Sequence, residues 1–187
     1  MIKKLVNTQY NLFGFLRKLH DPRRTQGQRF ALYSILAITI MAILSGETGL
    51  RGFTRFAKSN ESELVKTFSC KHGGPTFGTF RIILLSVNPI ELAQHFKTWM
   101  SAYVELDDTF ALDGKTLRST VTHLNEALHD FVNITSLFGH KNGLVTAIKS
   151  FRIKETQEAE ALRPLIASLG IKEVTFTMDA VHTQKNT

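Results

Sequence analysis

The stretch Thr109-Phe-Ala-Leu-Asp113 decides the predicted fold of the second half of the chain. It combines β-branched and apolar residues and is bounded by Gly114, a pattern that predicts a strand ending at Asp113. Downstream, similar patterns predict a two-stranded hairpin, a helix with one apolar face, and a short strand that ends at Asp179. These predicted elements cover residues 131–138, 144–153, 159–169 and 174–178.

The order strand, strand, strand, helix, strand is the opening of a ribonuclease H-like fold. In that fold the first and fourth strands are parallel neighbours, and the crossover through the helix is right-handed. Ligand sites in such sheets lie at the carboxyl ends of strands. The order therefore predicts that Asp113 and Asp179 lie close together, although 66 positions separate them in the sequence.

Two adjacent carboxylates repel each other unless a cation lies between them. Mg²⁺ prefers oxygen ligands, and a pair of such ions can activate the attacking oxygen and stabilise the leaving oxygen in phosphoryl transfer. The spacing alone leaves other interpretations open. Asp113-Gly114 is also a hairpin-turn signal, and Asp179 could be a helix cap or a turn residue.

The first hundred residues read as helical. The apolar segment 30–44 is shorter than the roughly 20 residues that a membrane span needs, so we interpret it as a buried core helix and expect no membrane association. Gly73-Gly-Pro75 and Asn88-Pro89 separate further helices, the last over residues 90–103. The predicted fold class is thus mixed, α+β or α/β. A helical domain over residues 1–104 precedes a partial ribonuclease H-like mixed sheet over 105–187.

The basic charge is confined to the first part of the chain. The net charge is +7, with +9 in residues 1–100 and −2 in residues 101–187. A basic region of this kind suits phosphate binding, although a soluble basic surface has the same composition. Arg23, Arg24 and Arg29 form the densest cluster. Arg81, Lys115 and Arg118 are further candidates for DNA contact, with a packing helix around Arg81 and solvated charges after Asp113 as the alternatives.

One cysteine, Cys70, excludes an internal disulfide and fits a reducing cytoplasm. The histidines other than His182 show no zinc-ligand spacing with Cys70. The chain has no secretory signal pattern. We therefore expect a cytoplasmic protein.

Several segments resemble the H-repeat-associated (Rhs-linked) insertion-sequence transposases, which are DDE-type enzymes. Phe110-Ala-Leu-Asp113-Gly-Lys-Thr-Leu-Arg118 resembles their first-aspartate motif, and Thr177-Met-Asp179-Ala-Val-His-Thr-Gln-Lys185 resembles their second. Upstream, Asp21-Pro-Arg-Arg-Thr-Gln-Gly-Gln-Arg29 and Gly74-Pro-Thr-Phe-Gly-Thr-Phe-Arg81 are similar to segments of the family's transposase-associated helical domain.

The resemblance implies an enzyme that uses Mg²⁺ or Mn²⁺ to cut and join DNA at the ends of an insertion sequence. Asp113 and Asp179 would be its two metal-binding catalytic aspartates, and a second copy of the chain is a candidate partner. Glu155 and Gln157 depart from the family, which has lysine and asparagine there.

The sequence ends at Thr187, before the family's third catalytic acid, and Glu158 and Glu160 precede Asp179. We therefore expect a truncated transposase that is inactive on its own. Two other functions stay open: a non-catalytic DNA-binding remnant, and a ribonuclease H-like nuclease.

Overall fold

The computed structural model describes residues 11–70, 73–101, 109–122, 130–141, 143–152, 164, 166–167 and 174–177. The chain divides into two compact units, Met1–Asn88 and Pro89–Thr187. We describe each unit by itself.

Apart from an isolated bridge at Gly73, the regular secondary structure among the described residues of the first unit is helical, as the sequence predicts. Its first described helix is capped by Asn11, whose side-chain oxygen accepts the backbone N–H of Gly14 at 2.7 Å. A 3₁₀ turn at Thr25–Gly27 follows. The helices are α1 Leu12–Leu16, α2 Leu32–Leu44, α3 Gly49–Ser59, α4 Glu61–Phe68 and α5 Phe77–Ser86.

Helix α2 lies at the centre of this unit and contacts α1, α3 and α5. Ile35, Ile38 and Ala42 have no exposed surface. The segment Thr25–Leu44 is long and apolar enough to span a membrane by length and composition, but half of it is buried inside the protein. Its packing is that of a core helix, in agreement with the sequence-based interpretation.

Helix α5 runs antiparallel to α3. The rings of Phe53 and Phe80 have centroids 5.9 Å apart, and the backbone at Gly74, before α5, approaches Ala57 near the end of α3. Glu61, which begins α4, accepts the backbone N–H of Gly74 at 2.7 Å. This bond holds the turn in which Gly73 adopts a positive φ of 78°, a conformation that costs glycine little.

The second unit contains a helix and a mixed sheet. Helix α6, Pro89–Met100, contacts β3, one of the two edge strands of the described sheet. The strands are β1 Thr109–Thr122, β2 Asp130–Gly139, β3 Leu144–Arg152 and β4 Thr175–Thr177, in the order β3-β2-β1-β4. The division between the compact units lies before α6, which contacts the sheet. The boundary at residue 104 between a helical domain and a catalytic domain stays a prediction.

Strand pairing confirms the predicted hairpin and the predicted neighbours. β1 and β3 both pair antiparallel with β2, and β1 pairs parallel with β4. The core of the sheet is a cluster formed by Phe110, Leu112, Leu137 and Ala147, against which Ile166, Val174 and Phe176 pack. Most of the predicted helix 159–169 lies outside the described residues; Pro164, Ile166 and Ala167 are helical.

The predicted end of the first strand is wrong. β1 continues through Asp113-Gly114 to Thr122, because β2 provides paired partners as far as Leu117. The register then shifts, and the hydroxyl of Thr120 accepts the backbone N–H of Val132 at 2.9 Å. This side-chain bond satisfies a backbone donor at the irregularity, so β1 and β2 stay together beyond it.

Candidate functional site

Asp113 lies in the interior of β1, one of the two central strands of the described sheet. Successive side chains of a strand alternate between faces, and Leu112 is buried in the core whereas Asp113 is exposed. Lys115, two residues further on, is exposed as well and shares the face of Asp113. The carboxylate of Asp113 is thus exposed on the face opposite Leu112, and the side chain of Lys115 lies on the same face.

The cross-strand neighbour of Asp113 is Ser136 on β2. The Ser136 hydroxyl lies 3.4 Å from the backbone oxygen of Asp113, to which it can donate a weak hydrogen bond. Within the described residues, no hydrogen bond or ion pair engages the Asp113 carboxylate. Its oxygens are therefore available to a ligand.

The parallel pairing of β1 with β4 relates the two aspartate motifs. Thr109, Phe110 and Ala111 pair with Thr175, Phe176 and Thr177, so paired residues are 66 positions apart. Asp113 and Asp179 have the same separation in the sequence. Asp179 itself lies outside the described residues.

The donor chemistry of Asp113 fits a hard divalent cation, because carboxylate oxygens are the ligands that Mg²⁺ prefers. Within the part of the chain that the structure describes, no group of three or more His, Cys, Asp or Glu side chains converges. A complete ligand set would therefore need Asp179 or other residues outside that part.

A contact that the sequence does not predict connects the β2–β3 turn to β4. The ring nitrogen Nε2 of His140 lies 3.0 Å from the Thr177 hydroxyl oxygen, and the backbone N–H of His140 donates to the Thr109 carbonyl at 3.1 Å. The residues joined by the ring contact are 37 positions apart, so no local pattern could have indicated it.

The basic loop before α2 contains arginines of two kinds. The guanidinium of Arg23 donates to both carboxylate oxygens of Asp21, at 2.9 and 2.7 Å, and to the carbonyl of Phe30 at 2.7 Å. Its side chain is only 9% exposed. The hydrogen bonds from Arg23 lower the pKa of Asp21, against the opposing effect of burial. Arg23 therefore stabilises the loop by connecting Asp21 at its start to Phe30 at its end.

The other predicted DNA-contact residues are placed differently. Arg24, Arg29 and Arg81 are exposed in the helical unit, and Lys115 is exposed on the sheet. Arg118 lies in β1, but its side chain is outside the described set. On α5, Arg81 neighbours the exposed apolar side chains Ile82 and Leu85, whereas Phe80 and Ile83 are fully buried on the other face. Helix α5 thus packs through one face and leaves Arg81 free to reach a partner through the other.

Comparison with known proteins agrees with the resemblance in the motifs. Residues 13–100 match the family described as DDE_Tnp_1-associated. This match extends through α6, beyond the boundary between the compact units. No solved structure matches the chain.

Two curated proteins of Escherichia coli (strain K12) are similar over most of the chain. They are named "H repeat-associated putative transposase YhhI", 28% identical over 169 residues, and "H repeat-associated putative transposase YbfD", 28% identical over 171 residues. Each alignment covers 89% of this chain, but the chain spans only 44% of the length of YhhI and 65% of that of YbfD. Both comparisons show that the chain is similar to putative transposases of this group.

Proposed function

The chain is similar to two H repeat-associated putative transposases, and from this similarity we propose that it acts in the metal-dependent cutting and joining of DNA at the ends of an insertion sequence. The observation that carries the proposal is the position of Asp113. Its carboxylate is exposed on a central strand, beside a parallel strand whose register repeats the spacing of Asp113 and Asp179. The catalytic unit would be a partial ribonuclease H-like domain.

In this proposal Asp113 and Asp179 hold Mg²⁺ or Mn²⁺ through their carboxylate oxygens. A bound divalent ion activates the attacking oxygen and stabilises the leaving oxygen of a phosphodiester. Lys115 lies on the same face as Asp113, where its ammonium group would bind a phosphate oxygen of the DNA. Arg118 of β1 stays a further candidate for contact with the DNA backbone.

The helical unit would supply most of the affinity for DNA. Residues 1–88 contain 13 Lys and Arg against 4 Asp and Glu, whereas residues 89–187 contain 10 against 12. Phosphate binding by basic side chains releases counterions and makes affinity depend strongly on salt. Arg24, Arg29 and Arg81 are the exposed candidates, and the protein would act in the cytoplasm, where the chromosome is accessible.

The test of the metal site is Mn²⁺ binding by the purified chain, measured by electron paramagnetic resonance. We expect Asp113→Asn to weaken Mn²⁺ binding about tenfold or more, which corresponds to roughly 1.4 kcal/mol. Glu63→Gln is the matched control, since Glu63 is an exposed carboxylate in the helical unit. Equal affinity of wild type and Asp113→Asn would contradict the assignment of Asp113.

The same variants separate the competing functions. Nicking of supercoiled plasmid with Mn²⁺ that disappears in Asp113→Asn would support a phosphodiester-cleaving site. Salt-dependent DNA binding without Mn²⁺ affinity would instead favour a DNA-binding protein that does not cut. Cleavage without joining of DNA ends would favour a nuclease.

A further inference from the structure

Within the described residues, β4 is held to the sheet by few backbone pairings. It has three residues, and its described pairing is confined to the first three residues of β1. β4 also forms an edge of the described sheet. Short edge strands contribute little pairing of their own. Additional bonds to β4 therefore help to fix the position of the second-aspartate motif, which begins at Thr177.

His140 supplies such a bond from the other side of β1. Its backbone N–H donates to Thr109 at the start of β1, and its ring reaches Thr177, the last residue of β4. The Thr177 hydroxyl is also 3.4 Å from the Phe110 carbonyl oxygen. The contacts of His140 therefore join the β2–β3 turn, the central strand and the edge strand.

The direction of these bonds follows from the groups involved. The Phe110 carbonyl can only accept, so the Thr177 hydroxyl can donate its proton to it at 3.4 Å. In that arrangement the hydroxyl oxygen accepts from Nε2–H of His140, whereas in the other tautomer the hydroxyl donates to Nε2. We take the first arrangement, because it satisfies the Phe110 carbonyl and the His140 ring together.

The ring of His140 is oriented by a second contact. It meets the Phe138 ring edge-on, with centroids 6.4 Å apart and an interplanar angle of 79°. Because Phe138 precedes the turn by two residues, the hairpin itself sets the direction in which the imidazole points. The donor is thus supplied by the paired β2–β3 hairpin rather than by a separate flexible loop.

We propose that His140 is a positioning residue that fixes the carboxyl end of β4 through Thr177 and thereby places the second-aspartate motif, which begins at Thr177. The inference rests on the proposed function, because it assigns His140 a role at the same metal site. His140 acts through the strand and is not assigned to the metal or to DNA.

The first measurement needs no metal. Hydrogen–deuterium exchange of the peptide containing β4 is compared between wild type, His140→Ala, His140→Gln and Ser150→Ala. Ser150 is an exposed residue of β3 and serves as the control for a substitution on the same sheet. We expect His140→Ala to accelerate exchange in β4 about three- to tenfold, the effect of losing one hydrogen bond. The glutamine amide replaces the Nε2 donor, so His140→Gln stays close to wild type.

A double-mutant cycle tests whether the effect passes through Thr177. Thr177→Val removes the acceptor, and His140→Ala added to it should have little further effect on exchange. Unchanged exchange in His140→Ala would overturn the proposal, as would additive effects of the two substitutions.

The Mn²⁺ affinity of the same variants tests whether the position of β4 affects the proposed metal site. We expect His140→Ala to weaken Mn²⁺ binding about three- to tenfold and His140→Gln to restore it. Restoration by glutamine is an outcome that general loss of structure would not give. If wild type binds no Mn²⁺ while the exchange results hold, the proposed function fails and the His140–Thr177 connection stands. If wild type binds Mn²⁺ and His140→Ala binds it equally well, the positioning role fails.

Discussion

At the scale of single residues, Arg23 and Arg29 of the basic loop differ in what surrounds them. Arg23 is buried among Asp21 and two backbone carbonyls, whereas Arg29 is exposed. We expect Arg23→Ala to lower the free energy of unfolding by about 1–3 kcal/mol, because it leaves these acceptors unpaired. Arg29→Ala should change it by less than about 0.5 kcal/mol.

Urea unfolding measures the stability of the two variants, and DNA titrations at several salt concentrations measure their contribution to DNA binding. Arg29→Ala should reduce the log–log salt slope by about one unit if Arg29 contacts a phosphate. Equal urea midpoints for Arg23→Ala and Arg29→Ala would show that the bonds of Arg23 do not stabilise the unit.

Two threonines of the sheet provide a second comparison at this scale. The Thr135 hydroxyl is buried and has no hydrogen-bond partner within the described residues, whereas that of buried Thr146 donates to the Leu137 carbonyl at 3.2 Å. Valine has nearly the same shape as threonine without the hydroxyl. Thr135→Val should therefore stabilise the protein by about 1 kcal/mol, and Thr146→Val should destabilise it by about 1 kcal/mol. Denaturant midpoints that move in the same direction for both would refute this account.

The candidate site was predictable only where its residues belong to local patterns. Asp113 follows an apolar strand, and the strand order correctly predicted that β1 and β4 are parallel neighbours. Arg23 donates a hydrogen bond to the carbonyl of Phe30, seven residues away in the sequence. The ring of His140 contacts Thr177, which is 37 positions away. Side-chain partners of this kind are set by the fold, so a basic cluster in the sequence does not reveal which arginine is internal.

At the scale of elements, the length of β1 shows how tertiary pairing overrides a turn signal. Asp113-Gly114 favours a turn in isolation, but Gly114 is paired with Thr135 in the β1–β2 ladder. The β-branched residues Thr116, Thr120 and Val121 were the signal for a longer strand. The helices were easier to predict, because glycine and proline mark the ends of α2 and α5, although no glycine or proline separates α4 from α3.

Helix α5 allows a matched test of its two apolar faces. Phe80 is fully buried against Phe53, whereas Ile82 is 59% exposed. We expect Phe80→Ala to destabilise the protein by about 3–5 kcal/mol, the usual cost of removing a buried aromatic ring. Ile82→Ala should cost less than about 0.5 kcal/mol.

Circular dichroism during urea unfolding gives both values. A large loss of stability in Ile82→Ala would mean that this face is covered in solution. DNA titrations of Ile82→Ala and Arg81→Ala would then show whether the exposed face of α5 takes part in binding DNA.

At the scale of the whole molecule, charge and fold are divided at the same place. The helical unit carries the basic excess, and the sheet unit carries the exposed Asp113. An excess of positive charge favours DNA binding in the first unit, and the lower charge of the second unit leaves its carboxylates available to a cation. The sequence predicted this division of charge, whereas a helical pattern alone does not show which core α6 packs against.

The two units contain one natural probe each. Cys70, the single cysteine, is 6% exposed in the helical unit, and burial raises the pKa of its thiol. Trp99, the single tryptophan, lies in α6 of the sheet unit. Thiol labelling therefore reports on unfolding of the first unit, and tryptophan fluorescence reports on unfolding of the second.

Because each unit has its own buried core, a core substitution should act mainly on the probe of its own unit. Phe80→Ala should lower the urea concentration at which Cys70 becomes reactive and leave the Trp99 transition nearly unchanged. Leu137→Ala, at a fully buried position in the sheet, should have the opposite effect, with a loss of about 2–5 kcal/mol in the second unit. If each substitution shifts both transitions equally, the two units unfold as one cooperative body. In that case a change at the basic loop would also alter the stability of the strands that carry the two aspartate motifs.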